Sequence, residues 1–297
     1  MSTEKNLQQG RVVWAAGGFY TVLVGAEEVT CRIRGRLKQQ AGGVFTGDLV
    51  QIERFGSKDG VIEEIMPRKL VMKRPNIANV DQAVLQLAAR DPDCDLLLLD
   101  KMLLNCAHLG VQPLILFNKC DLLESEAAWQ QLAAPYIAAG YRVIRASVKQ
   151  GLGVEEVRAA LAGHITVFTG PSGAGKSSLL NALMPELQAE VGEISQRLQR
   201  GKHTTRQVSI HVLAEDAMVA DSPGFQLLDL AEDLTEQRCA ELMPEFAAYD
   251  CRFEQCLHDK EPDCAVKAAL AAGKIDEGRY QRYLRLLTDL REREVKY

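Results

Sequence analysis

The run Gly170-Pro171-Ser172-Gly173-Ala174-Gly175-Lys176-Ser177-Ser178 contains the spacing Gly-x-x-x-x-Gly-Lys-Ser that a polyphosphate site needs. Its glycines let the backbone turn tightly with N–H groups pointing inward, and the positive end of the following helix faces the same anion. Lys176 has the reach for β- and γ-phosphates, and the Ser177 hydroxyl is a Mg²⁺ ligand type. The context fits, because an apolar β-prone stretch, Ile165 to Thr169, precedes the run and a helical one, Ser177 to Met184, follows. A chance glycine-rich turn does not account for so many constrained positions between a strand and a helix.

A second apolar stretch, Pro113 to Phe117, ends in Asn118-Lys119-Cys120-Asp121. This tetrad suits guanine recognition: Asp121 accepts from the ring N–H and the exocyclic amine, a pair that adenine does not present, while Asn118 and Lys119 brace the loop. Alone it is weak, since four residues recur by chance. Ser147-Val148-Lys149, ahead of Gln150-Gly151-Leu152-Gly153, resembles the Ser-Ala-Lys base-contacting loop of GTPases with valine in place of alanine. Backbone N–H groups make that contact, so the substitution is tolerable.

Pro185 to Arg206 is poor in regular pattern and ends Gly201-Lys202-His203-Thr204-Thr205-Arg206, with Arg197, Arg200, Lys202 and Arg206 opposed nearby by Glu193 alone. It resembles a mobile switch carrying a Mg²⁺-ligating threonine; likeness to other Thr-Thr-Arg switches favours Thr205 over Thr204. Asp221-Ser222-Pro223-Gly224-Phe225 follows a strand, Ala217 to Ala220, as a second switch in which Asp221 orients Mg²⁺ through water and the Gly224 N–H senses the γ-phosphate. Many GTPases place a glutamine after that glycine to orient the attacking water, whereas Phe225 offers no hydrogen bond. His203 is then the candidate catalytic group, with a solvated switch histidine as the bland alternative. The order is unusual, because the guanine loops precede the phosphate loop: the domain is circularly permuted, and its second switch leads directly into the C-terminal region.

That region contains Cys251-x4-Cys256-x-His258-x5-Cys264, four soft ligands within fourteen residues that suit a closed, structural, tetrahedral Zn²⁺ site. Cys31, Cys94, Cys106 and Cys120 stand apart and read as small buried apolar residues. Helical segments flank the cluster, notably Lys274 to Glu292, whose Arg279, Arg282, Arg285 and Arg291 are interleaved with Asp276, Glu277 and Asp289 and read as a solvated face.

The elements that must position these groups fall into three parts. Arg11 to Trp14, Tyr20 to Val24, Val29 to Arg34, Asp48 to Glu53 and Gly60 to Ile65 are short β-prone runs separated by glycine-containing turns, as a small barrel of the oligonucleotide-binding kind requires. Arg32, Arg34 and Arg36 alternate along one strand exit and fit either an RNA contact or a solvated polar edge. From Asn79, strands alternate with amphipathic helices, which implies a mostly parallel sheet with ligands at the carboxyl ends of its strands. The expected domains are 1–71 (barrel), 72–232 (permuted P-loop GTPase) and 233–297 (mainly helical, zinc-binding).

Composition is ordinary for a globular chain: 297 residues, 47% apolar and 25% charged, with a net charge of −5 that argues against a globally basic nucleic-acid binder. No apolar run approaches the roughly 18 residues of a membrane span, and the start lacks a signal-like apolar core. A cytoplasmic monomer without membrane contact is expected.

Taken together, the barrel, the permuted loops with Gly-Lys-His-Thr-Thr and Asp-Ser-Pro-Gly-Phe, and the Cys/Cys/His/Cys segment resemble the family of ribosome small subunit-dependent GTPase A. The likeness covers nearly the whole chain, including Arg74-Pro75-Asn76-Ile77-Ala78-Asn79-Val80-Asp81-Gln82; Lys101 stands where an arginine is usual. It implies a GTPase that binds the maturing small ribosomal subunit, contacts its rRNA, is stimulated by it and leaves after hydrolysis, with His203 catalytic. Rival readings are a GTPase acting on a protein or membrane partner, and an ATP-dependent small-molecule kinase, which leaves Asn118 to Asp121 idle.

Overall fold

The computed structural model describes residues 7–38, 43–73, 76–185, 208–214, 216–221 and 227–294. His203, Thr204, Thr205, Gly224 and Phe225 lie outside the described residues. The chain forms two compact units, one of residues 1–82, 158–168 and 180–225, the other of 83–157, 169–179 and 226–297.

In the first unit, strands β1 (Leu7–Ala16), β2 (Phe19–Val24), β3 (Glu27–Ile33), β4 (Leu49–Phe55) and β5 (Asp59–Ile65) pair in the order β1-β2-β3-β5-β4, and β1 also pairs with β4 to close the barrel. Alternation decides which face turns inward: Val22, Val29, Cys31, Val50, Ile52 and Ile62 form the core while their chain neighbours, the buried Glu63 apart, are more exposed. Asp48, fully buried where β4 begins, accepts from Arg68 through Nε and Nη2 at 2.7 Å each and from the Phe45 N–H at 2.8 Å, so its charge is matched. A small hairpin of β6 (Val71–Lys73) and β7 (Asn76–Ala78) follows, too short to leave a periodic signal in the sequence.

The second unit is built on β8 (Gln82–Ala88), which is buried along its whole length. It is followed by α1 (Leu96–Leu109), β9 (Gln112–Asn118), α2 (Glu126–Ala138), β10 (Arg142–Arg145) and α3 (Val154–Ala160); β10 pairs in parallel with β9, and β9 neighbours β8. Helix starts follow their capping residues. Asp95 accepts from the Leu98 N–H at 2.9 Å and Ser125 from the Ala128 N–H at 3.2 Å. The first unit also holds β11 (Ile165–Thr169) but for its last residue, β12 (Ser209–Ala214) and β13 (Ala217–Asp221), with α4 (Lys176–Leu183) between β11 and β12 in the chain; β13 pairs in parallel with β11 and antiparallel with β12.

The C-terminal residues form α5 (Glu236–Glu241), α6 (Ala265–Ala271) and α7 (Glu277–Glu294) around Cys239, Met243, Phe246, Val266, Tyr283 and Leu287. Here one expectation is corrected. Only part of α7 is a solvated face: Arg285 is 71% exposed, but Arg279 is 2% exposed and held by Asp100 at 2.6 Å and Glu245 at 2.7 Å, and Arg282 bonds the other Asp100 oxygen at 2.5 Å. The burial is tolerable because every charge in the group has an opposite partner within hydrogen-bond reach. Among the described residues no helix is long and apolar enough to cross a membrane.

Candidate nucleotide site and metal centre

The phosphate loop connects β11 to α4, as its spacing requires. Gly170 adopts φ +144°, and a β-carbon there would stand 1.9 Å from the Gln86 carbonyl oxygen; at Gly175 (φ +89°) it would stand 2.4 Å from Asn118 Nδ2. Only glycine permits both approaches. Ala174 is fully buried, whereas Ser172, Gly173, Ser177 and Ser178 are exposed, so the loop presents its serines outward and anchors itself through one alanine. Lys176 Nζ donates to the Gly170 and Pro171 carbonyls at 2.7 and 2.8 Å, folding over the loop, and burial holds its pKa below the usual lysine range. A polyphosphate reaching the loop gives this ammonium a stronger acceptor than two neutral carbonyls.

The base-reading loops are joined to the phosphate loop by a single side chain. Asn118, at the end of β9, donates through Nδ2 to the Ala174 carbonyl at 3.0 Å and accepts through Oδ1 from the Val148 N–H at 3.1 Å. Lys119 has φ +60° and donates from Nζ to the Asp91 carbonyl; Asp121 follows, half-buried, in a short 3₁₀ turn (Cys120–Leu122). Cys120 points the other way, buried, with its Sγ on the Phe117 carbonyl at 3.2 Å, so it packs the loop from below. Ser147 is fully buried and Lys149 exposed, and the Ser147 and Leu152 backbones bond each other at 3.0 and 3.1 Å, closing the loop.

Two contributors escape sequence reasoning. Gln86, fully buried on β8, donates through Nε2 to the same Ala174 carbonyl at 2.9 Å. Its Oε1 is buried with no hydrogen-bond partner among the described residues, which costs about 1–3 kcal/mol. The other contributor is the loop between β8 and α1, whose Pro92 Cδ lies 3.2 Å from where a β-carbon on Gly173 would stand. The signal for Gln86 was a polar residue inside the apolar run 83–88; the 90–95 loop gave none.

Cys251, Cys256, His258 and Cys264 come together with all ligand atoms within 4.8 Å of one another. A tetrahedral Zn²⁺ at ~2.3 Å from sulfur and ~2.0 Å from nitrogen sets S···S edges of about 3.8 Å and S···N edges of about 3.5 Å. Three of the six edges are 3.7 Å for Cys251–Cys264, 3.5 Å for Cys251–His258 Nδ1 and 3.4 Å for Cys264–His258 Nδ1, and Cys256 Sγ lies within 4.8 Å of each of these atoms. The donor set therefore fits zinc in type and in size. Burial holds the His258 pKa below its usual value, favouring the neutral ring a metal needs. The ligand loop is braced from α7, where Tyr280 donates to the His258 carbonyl at 2.7 Å and Tyr283 to the Leu257 carbonyl at 2.5 Å. Glu261 accepts from the Leu257 and Asp259 N–H groups at 3.0 and 2.9 Å.

Comparison with known proteins agrees with this arrangement. Residues 65–231 match the RsgA GTPase family model and residues 9–62 the RsgA N-terminal domain model. The chain belongs to the RsgA GTPase family. A relative from Moorella thermoacetica, named small ribosomal subunit biogenesis GTPase RsgA, is 42% identical over 97% of this chain and 99% of its own length. One of the same name from a Geobacillus species is 40% identical over 98% and 100%. Among solved structures, YjeQ from Thermotoga maritima has a TM-score of 0.83 at 30% identity, covering 96% of this chain and 98% of its own. YloQ, described as a circularly permuted GTPase, has a TM-score of 0.82 at 32% identity over 99% and 98%. The chain is thus a GTP hydrolase of permuted loop order with an N-terminal barrel.

The remaining expected residues are placed unevenly. Asp221 ends β13, but its side chain, like that of Arg36 in the turn Gly35–Lys38, is outside what the structure describes. On the barrel, Arg34 is spoken for by Glu53 at 3.3 Å and Glu63 at 2.6 Å, whereas Arg32 is exposed and lies over the exposed Phe19 ring at 4.9 Å. Of the two described arginines, Arg32 is the better placed for a ligand.

Proposed function

We propose that this protein is a cytoplasmic, monomeric GTPase of small ribosomal subunit maturation, which binds the subunit and its rRNA, hydrolyses GTP when stimulated by it, and then dissociates. The subunit comes from the names of relatives that match almost end to end, and the carrying structural observation is Asn118, whose amide joins the phosphate loop to the base-reading loop. Asn118 also opens the tetrad that ends in Asp121, a carboxylate that an ATP-using kinase does not need, and this favours guanine as the base.

In this reading Gly170, Pro171, Ser172, Gly173, Ala174, Gly175, Lys176, Ser177 and Ser178 cradle the phosphates, and Asn118, Lys119, Cys120, Asp121, Ser147, Val148 and Lys149 shape the guanine pocket. Lys176 moves from the Gly170 and Pro171 carbonyls to the β- and γ-phosphates. Ser177, Thr205 and Asp221 are of the right types to hold Mg²⁺, which supplies neutralisation of the charge developing between the β- and γ-oxygens. Gly224 N–H reads the γ-phosphate and His203 orients the attacking water. Cys251, Cys256, His258 and Cys264 hold one structural Zn²⁺, the barrel offers Arg32, with Arg34 and Arg36, to RNA, and the functional domains are 1–71, 72–232 and 233–297.

The deciding experiment measures GTP hydrolysis by the purified protein alone, with purified small subunits, and with ribosome-free extract protein. A rate raised only by small subunits supports the reading. Equal stimulation by ribosome-free protein overturns it in favour of a protein partner.

A further inference from the structure

We propose that Gln86 is a positioning residue of the nucleotide site, one that sets the direction of the Gly175 N–H. The inference rests on the GTPase reading of the phosphate loop. The Ala174 carbonyl accepts from two side-chain amides, Gln86 Nε2 at 2.9 Å and Asn118 Nδ2 at 3.0 Å, which together occupy both of its lone pairs. A trans peptide is planar, with its N–H opposed to its C=O. Drawing the Ala174 oxygen down onto β8 and β9 therefore turns the Gly175 N–H the other way, into the cup of the loop where the phosphates sit.

The chemistry at position 86 is hard to explain by packing. A carbonyl can only accept, so the nitrogen of the Gln86 amide must be the end that faces Ala174, and this leaves Oε1 buried without a partner among the described residues. Gln86 sits between the buried Leu85 and Leu87 on a strand buried along its length, and an apolar side chain would fill its place with no orphaned acceptor. A local rule broken beside a ligand loop points to that loop as the reason. Asn118 differs in reach: it also holds the Val148 N–H, so its loss disturbs base reading, whereas the Gln86 side chain, among the described residues, bonds the phosphate loop alone.

The test uses the full-length protein with Gln86→Leu and, as an unbranched replacement of similar length, Gln86→Met. Wild-type GDP and GTP binding is measured first, so that a failure of the nucleotide-site reading is seen separately. Both variants are expected to bind GDP and GTP about tenfold more weakly, the worth of one hydrogen bond to the loop. Guanine-over-xanthine preference stays unchanged, the nucleotide-free melting temperature stays equal or rises, and amide exchange at residues 170–176 quickens while that at 118–121 does not. Wild-type affinity in both variants overturns the proposal, and so does a weakened affinity that comes with a lowered melting temperature and uniformly faster exchange, since that describes a residue needed only for folding.

Discussion

Arg279→Met tests the buried charge group that fixes α7 to α1, and its cost can be worked from the contacts. The guanidinium, 2% exposed, gives Nη1 to Asp100 Oδ1 at 2.6 Å and Nε and Nη2 to Glu245 at 2.7 and 3.0 Å, and lies 5.0 and 5.6 Å from the Tyr136 and Tyr141 rings. Methionine restores much of the apolar volume, so the cavity contribution is small. Asp100 keeps Arg282 Nε at 2.5 Å on its other oxygen, but Glu245, 10% exposed, loses both of its guanidinium bonds. Removing one partner of a buried pair costs about 3–5 kcal/mol, and the residual Arg282 contact puts this case near the lower end, at about 3 kcal/mol. Against a domain stability of about 5–15 kcal/mol this is visible in urea unfolding of the C-terminal region followed by amide exchange on α7. Adding Asp100→Leu, Glu245→Leu and Arg282→Met to Arg279→Met should recover most of the loss, because removing Arg282 together with Asp100 leaves an apolar cluster with no unpaired charge. Arg285→Ala, on the exposed side of the same helix, should change stability by less than about 0.5 kcal/mol. If Arg279→Met also falls within that limit, the group is energetically a surface pair and α7 is held by its apolar contacts alone.

The other predictions concern the site. Asp121→Asn should shift preference from GTP towards xanthosine triphosphate, because an amide donates to the extra ring oxygen; retention of the wild-type GTP margin in competition binding counts against Asp121 as the base reader. Cys256→Ser should loosen the C-terminal region while nucleotide binding remains measurable, since structural zinc sites carry about 10–16 kcal/mol of binding free energy. Elemental analysis of chelator-free protein should give one zinc per chain, and a value near zero removes zinc from the fold. His203→Ala should keep GTP affinity and subunit binding yet lose on the order of 10²-fold in stimulated rate, the scale of a water-orienting group. Full stimulation in that variant takes His203 out of the mechanism.

What the sequence disclosed and what it hid divide along a physical line. The phosphate loop, the Asn118 tetrad and the Cys/His cluster are local: few residues at fixed spacing, each set by the geometry of one anion, one base or one ion. The barrel strands were visible because period-two alternation is local as well, and all five lie near where their β-prone runs stand. Arg279 was illegible because its meaning depends on Asp100, 179 residues away in the chain; counting charges along α7 sees only nearby acids and returns a solvated face. Arg34 repeats the lesson on the barrel, where Glu53 and Glu63 from neighbouring strands neutralise a residue that looks free in the chain. Gln86 was hidden for the opposite reason. The apolar run around it marks a buried strand correctly, and its glutamine at position 86 becomes informative only when Ala174 is found above it.

The same long-range contacts give α1 a role that its apolar sequence does not advertise. The loop leading into it carries Asp91, whose carbonyl takes Lys119 Nζ, and Pro92, which lies against Gly173, so the helix is tied at its start to both the base-reading and the phosphate loops. One turn in, Asp100 grips Arg279 and Arg282, and Lys101 pairs with Asp289 at 2.9 Å; the lysine that replaces the usual arginine thus still reaches α7. Further along, the buried Asn105 amide donates to the Leu227 and Asp229 carbonyls at 2.9 and 2.7 Å and accepts from the Ala231 N–H at 3.0 Å, and His108 meets Asp233 at 3.0 Å. In the chain those partners follow soon after Asp221-Ser222-Pro223-Gly224-Phe225, the run expected to be the second switch. From Asp95 to His108 is about 20 Å of helix at 1.5 Å per residue, stiff over that length. The contacts at its start and those toward its end are therefore joined by one continuous helix. α1 is thus anchored at its start through Asp91 and Pro92, one turn in by the α7 arginines, and toward its end by residues 227–233.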